Sequence, residues 1–143
     1  MNRAQVEQAA LEAISSGRNC AESVLHTAGL HLGVNEDGRL TRTASCFGGG
    51  VGRSKQELCG ALAGGLMALG LACGRDTPGQ SCEKAYDLGA EFREQFMAMH
   101  GASACRDLLE RFGPQKDWEC CKRLTASAAG LLFDIAHGTG EAG

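Results

Sequence analysis

The chain has 143 residues, a net charge of −3 and an apolar share of 43%, which fits one folded domain and excludes general disorder. Its 14 basic residues are scattered, so the sequence predicts no surface for nucleic acid or anionic membranes. The unusual numbers are 21 glycines, 21 alanines and 8 cysteines. We predict a single helical domain over residues 1–137 and a disordered tail over residues 138–143.

Helix signals follow one another along the chain, and strand signals are nearly absent. Apolar residues at helical spacing and capping patterns predict seven helices, over residues 4–15, 20–32, 35–45, 55–73, 78–100, 104–112 and 117–136. The starts of the second and fourth helices rest on the capping boxes that begin at Asn19 and Ser54. We expect an all-α fold, a compact bundle of about six to seven helices around a central helix rich in Gly and Ala.

The central helix contains an uncharged stretch over residues 58–73, which is too short for a membrane span. A span needs about 20 apolar residues, and these 16 residues reach only about 24 Å at 1.5 Å per residue. We therefore predict a buried helix and no membrane span. Small residues recur at a spacing of four, at Gly60 and Gly64 and at Ala61, Gly65 and Ala68, so neighbouring helices are expected to approach its backbone closely.

A glycine-rich loop, residues 47–53, precedes the central helix. It does not match a phosphate-binding loop, because the spacing is one residue short and Arg53 stands where lysine is required. The loop is also predicted to follow a helix rather than a strand. We expect a backbone turn with positive φ angles that packs against something bulky or reactive.

Four of the eight cysteines fall at predicted helix starts: Cys20, Cys59, Cys105 and Cys120. The positive end of a helix dipole lowers the pKa of a thiol, and thiolates bind metals and attack disulfides. The amino-terminal residues resemble no signal peptide, so we predict a cytoplasmic protein, in which eight cysteines favour metal, cluster or redox chemistry over structural disulfides. Cys46, Cys73 and Cys82 are treated as accessory, although Cys73 and Cys82 flank a turn where they could pair.

The cysteine segments, taken in order, resemble the C-GCAxxG-C-C family of redox-active proteins. The matching segments are residues 19–25, the loop 47–53, residues 59–64, residues 105–109 and a late cysteine before an Ala-rich helix. The resemblance implies a small helical domain with four functional cysteines, similar to the cysteine-bearing domain of split-Soret cytochromes. Carried over by position, these are Cys20, Cys59, Cys105 and Cys120, with Cys120 preferred to its neighbour Cys121. The chain has no haem-attachment motif.

Three hypotheses of function follow. In the first, these four cysteines ligate a [2Fe–2S] cluster for electron transfer, and glycines bring backbone N–H groups to its sulfurs: Gly48, Gly49, Gly50, Gly52 and Gly60. In the second, the protein is a metal-free thiol–disulfide protein with Cys59 as nucleophile and Cys20 or Cys105 resolving. In the third, it is a helical scaffold, ligand-binding module or zinc-binding protein. The sequence leaves open whether the protein is an enzyme, and if it is one, we expect an oxidoreductase. It also leaves open whether the protein forms a homodimer. It also does not identify the redox partner protein.

Overall fold

The computed structural model describes residues 2–142 of the chain, and side chains as far as residue 138. Over these residues the fold is all-α, as predicted, and no strand is present. The elements are α1 Arg3–Ser15, α2 Cys20–His31, a 3-10 helix Arg39–Phe47, α3 Gly60–Cys73, α4 Glu83–His100, α5 Cys105–Phe112 and α6 Glu119–Ala142. None of the described helices is long and apolar enough to cross a lipid bilayer.

Several predicted helix boundaries are wrong. The central helix α3 begins at Gly60 rather than after Ser54, because the Ser54 hydroxyl donates to the Gly50 carbonyl instead of capping a helix. Helix α4 begins at Glu83, and the third predicted helix is a 3-10 helix. Helix α6 continues past its predicted end to Ala142. Gly143 lies outside the described residues, and the disorder of residues 138–143 stays a prediction.

Helix α3 packs between α2, α4 and α6, and α1 lies against α2 and α6. The predicted close approach is confirmed on two sides of α3, towards α2 at Gly64 and towards α4 at Gly65. A Cβ atom built on Gly64 would overlap the Ala21 carbonyl oxygen, and one on Gly65 would lie 2.5 Å from the Phe92 ring. Because the glycines of α3 have no side chains, the start of α2 and the start of α3 can lie side by side.

Candidate four-cysteine site

Cys20 is the first residue of α2, and its position is set by the capping box around it. The Asn19 side chain accepts a hydrogen bond from the Glu22 backbone N–H at 2.8 Å, and the Glu22 carboxylate accepts one from the Asn19 N–H at 2.9 Å. The same two side chains also reach Ser45 of the 3-10 helix, at 3.0 and 2.6 Å. The Ser45 hydroxyl, followed by the Asn19 N–H, holds the pKa of Glu22 below its usual value.

Cys59 and Cys105 are placed side by side by the backbone. Leu58 and Ala104 form an isolated antiparallel bridge. The Cys59 N–H donates to the Ser103 carbonyl at 2.8 Å, and the Cys105 N–H donates to the Glu57 carbonyl at 2.7 Å. Because Cys59 immediately precedes α3 and Cys105 begins α5, the bridge joins two helix starts. This contact could not be found from the sequence, since a two-residue pairing leaves no strand pattern.

The fourth cysteine at the site is Cys121 rather than Cys120, which the sequence favoured. Cys121 lines the same cavity as Cys20, Cys59 and Cys105, and Cys120 does not. Gln115 fixes Cys121 twice: its carbonyl oxygen accepts from the Cys121 N–H at 3.0 Å, and its amide donates to the thiol sulfur at 3.3 Å. The Cys120 sulfur instead contacts Arg123, at 3.8 Å. Adjacent residues of a helix point about 100° apart, so only one of the pair can face the cavity.

The four cysteines share a cavity of about 970 Å³. They are close enough for their charges to interact: after burial, which is the largest cause, the charge of Cys20 is among the causes that raise the pKa of Cys59, of Cys105 and of Cys121. Four helix starts therefore contribute a cysteine each to one cavity, and the contribution of α6 is its third residue, Cys121, rather than its second.

The prediction that helix starts lower the thiol pKa is wrong for Cys59 and Cys105, and the pKa of Cys121, which the prediction did not include, is raised as well. Burial, followed by the charge of Cys20, raises the pKa of Cys59 to about 12. The first N–H groups of α3, at Ala61 and Leu62, act in the opposite direction but do not compensate. Burial is also the largest cause of the raised pKa of Cys105 and of Cys121. Desolvation of a thiolate therefore outweighs the helix dipole here.

The glycine-rich loop forms one wall of the cavity and has the positive φ angles that the sequence predicts. The run from Gly49 to Arg53 turns through φ values of 63, 69, 70, 59 and 60°. Gly48, Gly49, Gly52 and Gly60 line the cavity directly. Gly50 lies behind Cys105, because a Cβ there would be 3.1 Å from the Cys105 sulfur, and a Cβ on Gly60 would overlap the Cys20 sulfur. The backbone thus approaches the thiols where side chains are absent.

The remaining cysteines lie elsewhere. Cys46 is exposed. Cys73 ends α3, and its thiol donates to the Leu69 carbonyl at 3.1 Å. Cys82 directly precedes α4, and its charge is among the causes that raise the pKa of Cys73, so these two are neighbours at the far end of α3. All eight cysteines are free thiols in the structure. Across the described residues, no three or more His, Cys, Asp or Glu side chains are already arranged to hold a metal ion.

Fold and site together define a small all-α protein in which four helix starts bring four cysteines to one glycine-lined cavity. The model of the family described as "Putative redox-active protein (C_GCAxxG_C_C)" matches residues 18–135, so the chain belongs to this family. The resemblance seen in the sequence is confirmed. No curated protein and no solved structure matches the chain.

Proposed function

We propose that the protein transfers electrons through a [2Fe–2S] cluster held by Cys20, Cys59, Cys105 and Cys121. The observation that carries the proposal is that these four thiols, from four separate helix starts, line one cavity. Four cysteine thiolates are the usual ligand set of such clusters. When bound, the cluster would supply one-electron oxidation and reduction.

The residues around the thiols fit this group. Gly50 and Gly60 leave no side chain between the backbone and the sulfurs of Cys105 and Cys20. The Gln115 amide donates to the Cys121 sulfur and orients it. Hydrogen bonds to ligand sulfurs are one of the ways in which a protein sets the potential of a cluster. The helix starts add partial positive charge beside ligands that must be deprotonated to bind iron.

Metal-free thiol–disulfide exchange is supported less well by the same geometry. Such exchange needs an accessible thiolate as attacking group. Cys59, the nucleophile of that hypothesis, is only 7% exposed, and its pKa is raised to about 12. At neutral pH the thiol of the iron-free protein is therefore protonated and shielded, whereas binding of iron would displace its proton.

Adjacent cysteines in α6 provide a matched test. We would purify the protein without oxygen, reconstitute it with iron and sulfide, and measure iron, sulfide and visible absorption for the wild type, Cys121→Ser and Cys120→Ser. The wild type and Cys120→Ser should bind two irons and two sulfides per chain, and Cys121→Ser should lose most of both. Circular dichroism of the iron-free proteins checks that both variants fold.

Three results would contradict the proposal. A wild type that stays colourless after reconstitution excludes the cluster. Zinc bound in place of iron and sulfide indicates the zinc-binding hypothesis. Loss of iron in Cys120→Ser but not in Cys121→Ser would show that the cluster ligands are not the four cysteines that line the cavity.

A further inference from the structure

The four-cysteine cavity also carries basic side chains that thiol ligation does not require. Arg18, Arg53, Lys55 and Lys122 line it, and no Asp or Glu of the described residues does. The chain as a whole has 17 acidic and 14 basic residues, so a wall with only positive charge departs from the average surface. A concave site lined by one sign of charge attracts ligands of the opposite sign.

Two of these cations are available at the rim of the cavity. Within the described chain, Arg53 and Lys55 form no salt bridge with a carboxylate. The Lys55 ammonium instead lies 5.2 Å from the centre of the Trp118 ring, an arrangement that holds it in place without neutralising it. Lys122 pairs with Asp117 at 3.0 Å, but the Asp117 side chain is 85% exposed and its charge is therefore strongly screened.

The lining also contains polar side chains, at Asn19, Ser45 and Thr125, and a set of apolar side chains. The apolar set comes from α1, α5 and α6, together with the indole of Trp118: Ile14, Leu108, Leu109, Phe112 and Leu124. A volume of about 970 Å³ is at the upper end of the range for small-molecule sites, roughly 300–1,000 Å³. Ligand sites of this kind combine an apolar wall with a few polar groups that fix orientation.

The backbone at the rim is strained on both sides. Lys55 has a φ of 61° and Trp118 has a φ of 57°, values that residues with a Cβ atom rarely adopt. Lys55 belongs to the segment after the glycine loop, and Trp118 precedes α6. A strained backbone persists only where the surrounding contacts hold it in place, and such residues occur most often at ligand-binding and other functional sites.

We infer that the cavity binds a small organic anion with an apolar body, such as an aromatic carboxylate. Its anionic group lies at Arg53, Lys55 and Lys122, and its ring lies against Trp118 and the apolar wall. This inference goes beyond the proposed electron transfer and does not require a cluster, since the cations and the apolar side chains are present in the iron-free chain.

The probe is 4-nitrobenzoate, and its neutral control is 4-nitrobenzamide. We would measure both dissociation constants by calorimetry on the iron-free protein with its thiols kept reduced, and follow the fluorescence of Trp118, which is the sole tryptophan. The carboxylate should quench Trp118 and bind at least tenfold more tightly than the amide. Equal affinity for the two compounds would overturn the inference.

Charge-neutral variants locate the site. Lys55→Gln and Arg53→Gln should each raise the dissociation constant of 4-nitrobenzoate by about fivefold, and the affinity for the amide should not change. Arg93→Gln, on the exposed surface of α4 and outside the cavity, is the matched control and should bind as the wild type does. An equal loss in Arg93→Gln would indicate a general charge effect and contradict the inference.

Repeating the titration on the iron- and sulfide-loaded protein separates this inference from the proposed function. Binding of 4-nitrobenzoate to a protein that takes up no iron supports the anion site and excludes the cluster. Binding that disappears on loading would show that the cationic wall serves the cluster itself, which would overturn the anion site.

Discussion

The two ends of helix α3 carry the same residue types in different surroundings. At its amino-terminal end, Cys59 is buried, and Gly60 and Gly64 lie directly against α2. At its carboxy-terminal end, Gly70 has open space around it, and Cys73 is half-buried. Both ends have a cysteine next to glycine, but only the first end belongs to the cavity that four cysteines line.

Neither a glycine nor a cysteine therefore indicates a site by itself. At the first end, glycine allows two backbones to approach, and this brings the thiols of Cys20 and Cys59 to one cavity. At the second end, a Cβ atom on Gly70 would meet nothing within 4 Å, so this glycine supports no close helix contact. Variants of the chain can test this contrast, first through packing, then through burial of the thiol, and last through the cap that precedes Cys20.

The largest effect is expected from adding one methyl group at each end of α3. Gly64→Ala should lower the free energy of unfolding by about 2–3 kcal/mol, because the new Cβ overlaps the Ala21 backbone, which cannot move aside as a side chain does. Gly70→Ala should raise it by about 0.5–1 kcal/mol, because alanine is the better helix former and nothing lies within 4 Å. Urea denaturation of both variants measures the two values.

If both variants are equally stable, α2 and α3 are not in backbone contact, and the geometry assigned to the cysteines loses its support. If Gly70→Ala destabilises the chain, an additional contact covers the exposed end of α3.

The sequence was sufficient for the all-helical fold, the close helix contact and three of the four cysteines in the cavity, because periodicity, small-residue spacing and helix starts are local signals. It failed at Ser54, where a capping pattern forms a turn hydrogen bond instead. The family resemblance favoured Cys120 for its distance to Leu124 and Ala128, and that spacing does not show which of two adjacent cysteines faces inward. Gln115, which orients Cys121, lies before the helix and gives no pattern that marks it.

The raised thiol pKa could not be predicted from helix positions either. Desolvation depends on how many neighbours pack around the sulfur, and that is a property of the tertiary structure. For Cys59 the neighbours come from α2 and from the segment before α5, both distant in sequence. The sequence indicates the helix dipole, which lowers the thiol pKa, but it does not indicate the burial, which raises the thiol pKa.

Buried Cys59 should make the stability of the folded chain depend on pH. Its pKa in the folded iron-free chain is about 12, above the ordinary value of 9.0. The contribution to stability is therefore complete below pH 9 and decreases as the pH rises from 9 toward 12. Between pH 8 and pH 10 the wild type should lose on the order of 1 kcal/mol from this group alone.

Cys59→Ala should show a smaller loss over the same interval, and replacement of exposed Cys46 by Ala should leave the loss unchanged. Urea denaturation at pH 8 and pH 10 provides the comparison. If the wild type and Cys59→Ala lose the same free energy of unfolding between pH 8 and pH 10, Cys59 is solvated. The thiols at the two ends of α3 would then not differ in burial.

The smallest effect is expected from the caps, and here α1 provides the control for α2. Both helices begin with an asparagine capping box, Asn2 with Gln5 and Asn19 with Glu22. Asn19→Ala should cost about 1 kcal/mol, because it removes the cap and also the hydrogen bond to the Ser45 carbonyl. Asn2→Ala should cost about 0.5 kcal/mol, because that exposed box makes contacts only within α1.

A second measurement shows whether the Asn19 cap also serves the cysteine site. Asn19 packs against Gly48 and directly precedes Cys20, and all three residues line the cavity. Removal of the Asn19 side chain should therefore make the Cys20 thiol more accessible from the cavity. Alkylation of Cys20 in the native iron-free protein should then become several times faster in Asn19→Ala and remain unchanged in Asn2→Ala. Unchanged alkylation in both variants would mean that the cap stabilises its helix without positioning the thiol. The cysteine end of α3 would then depend on backbone contact alone.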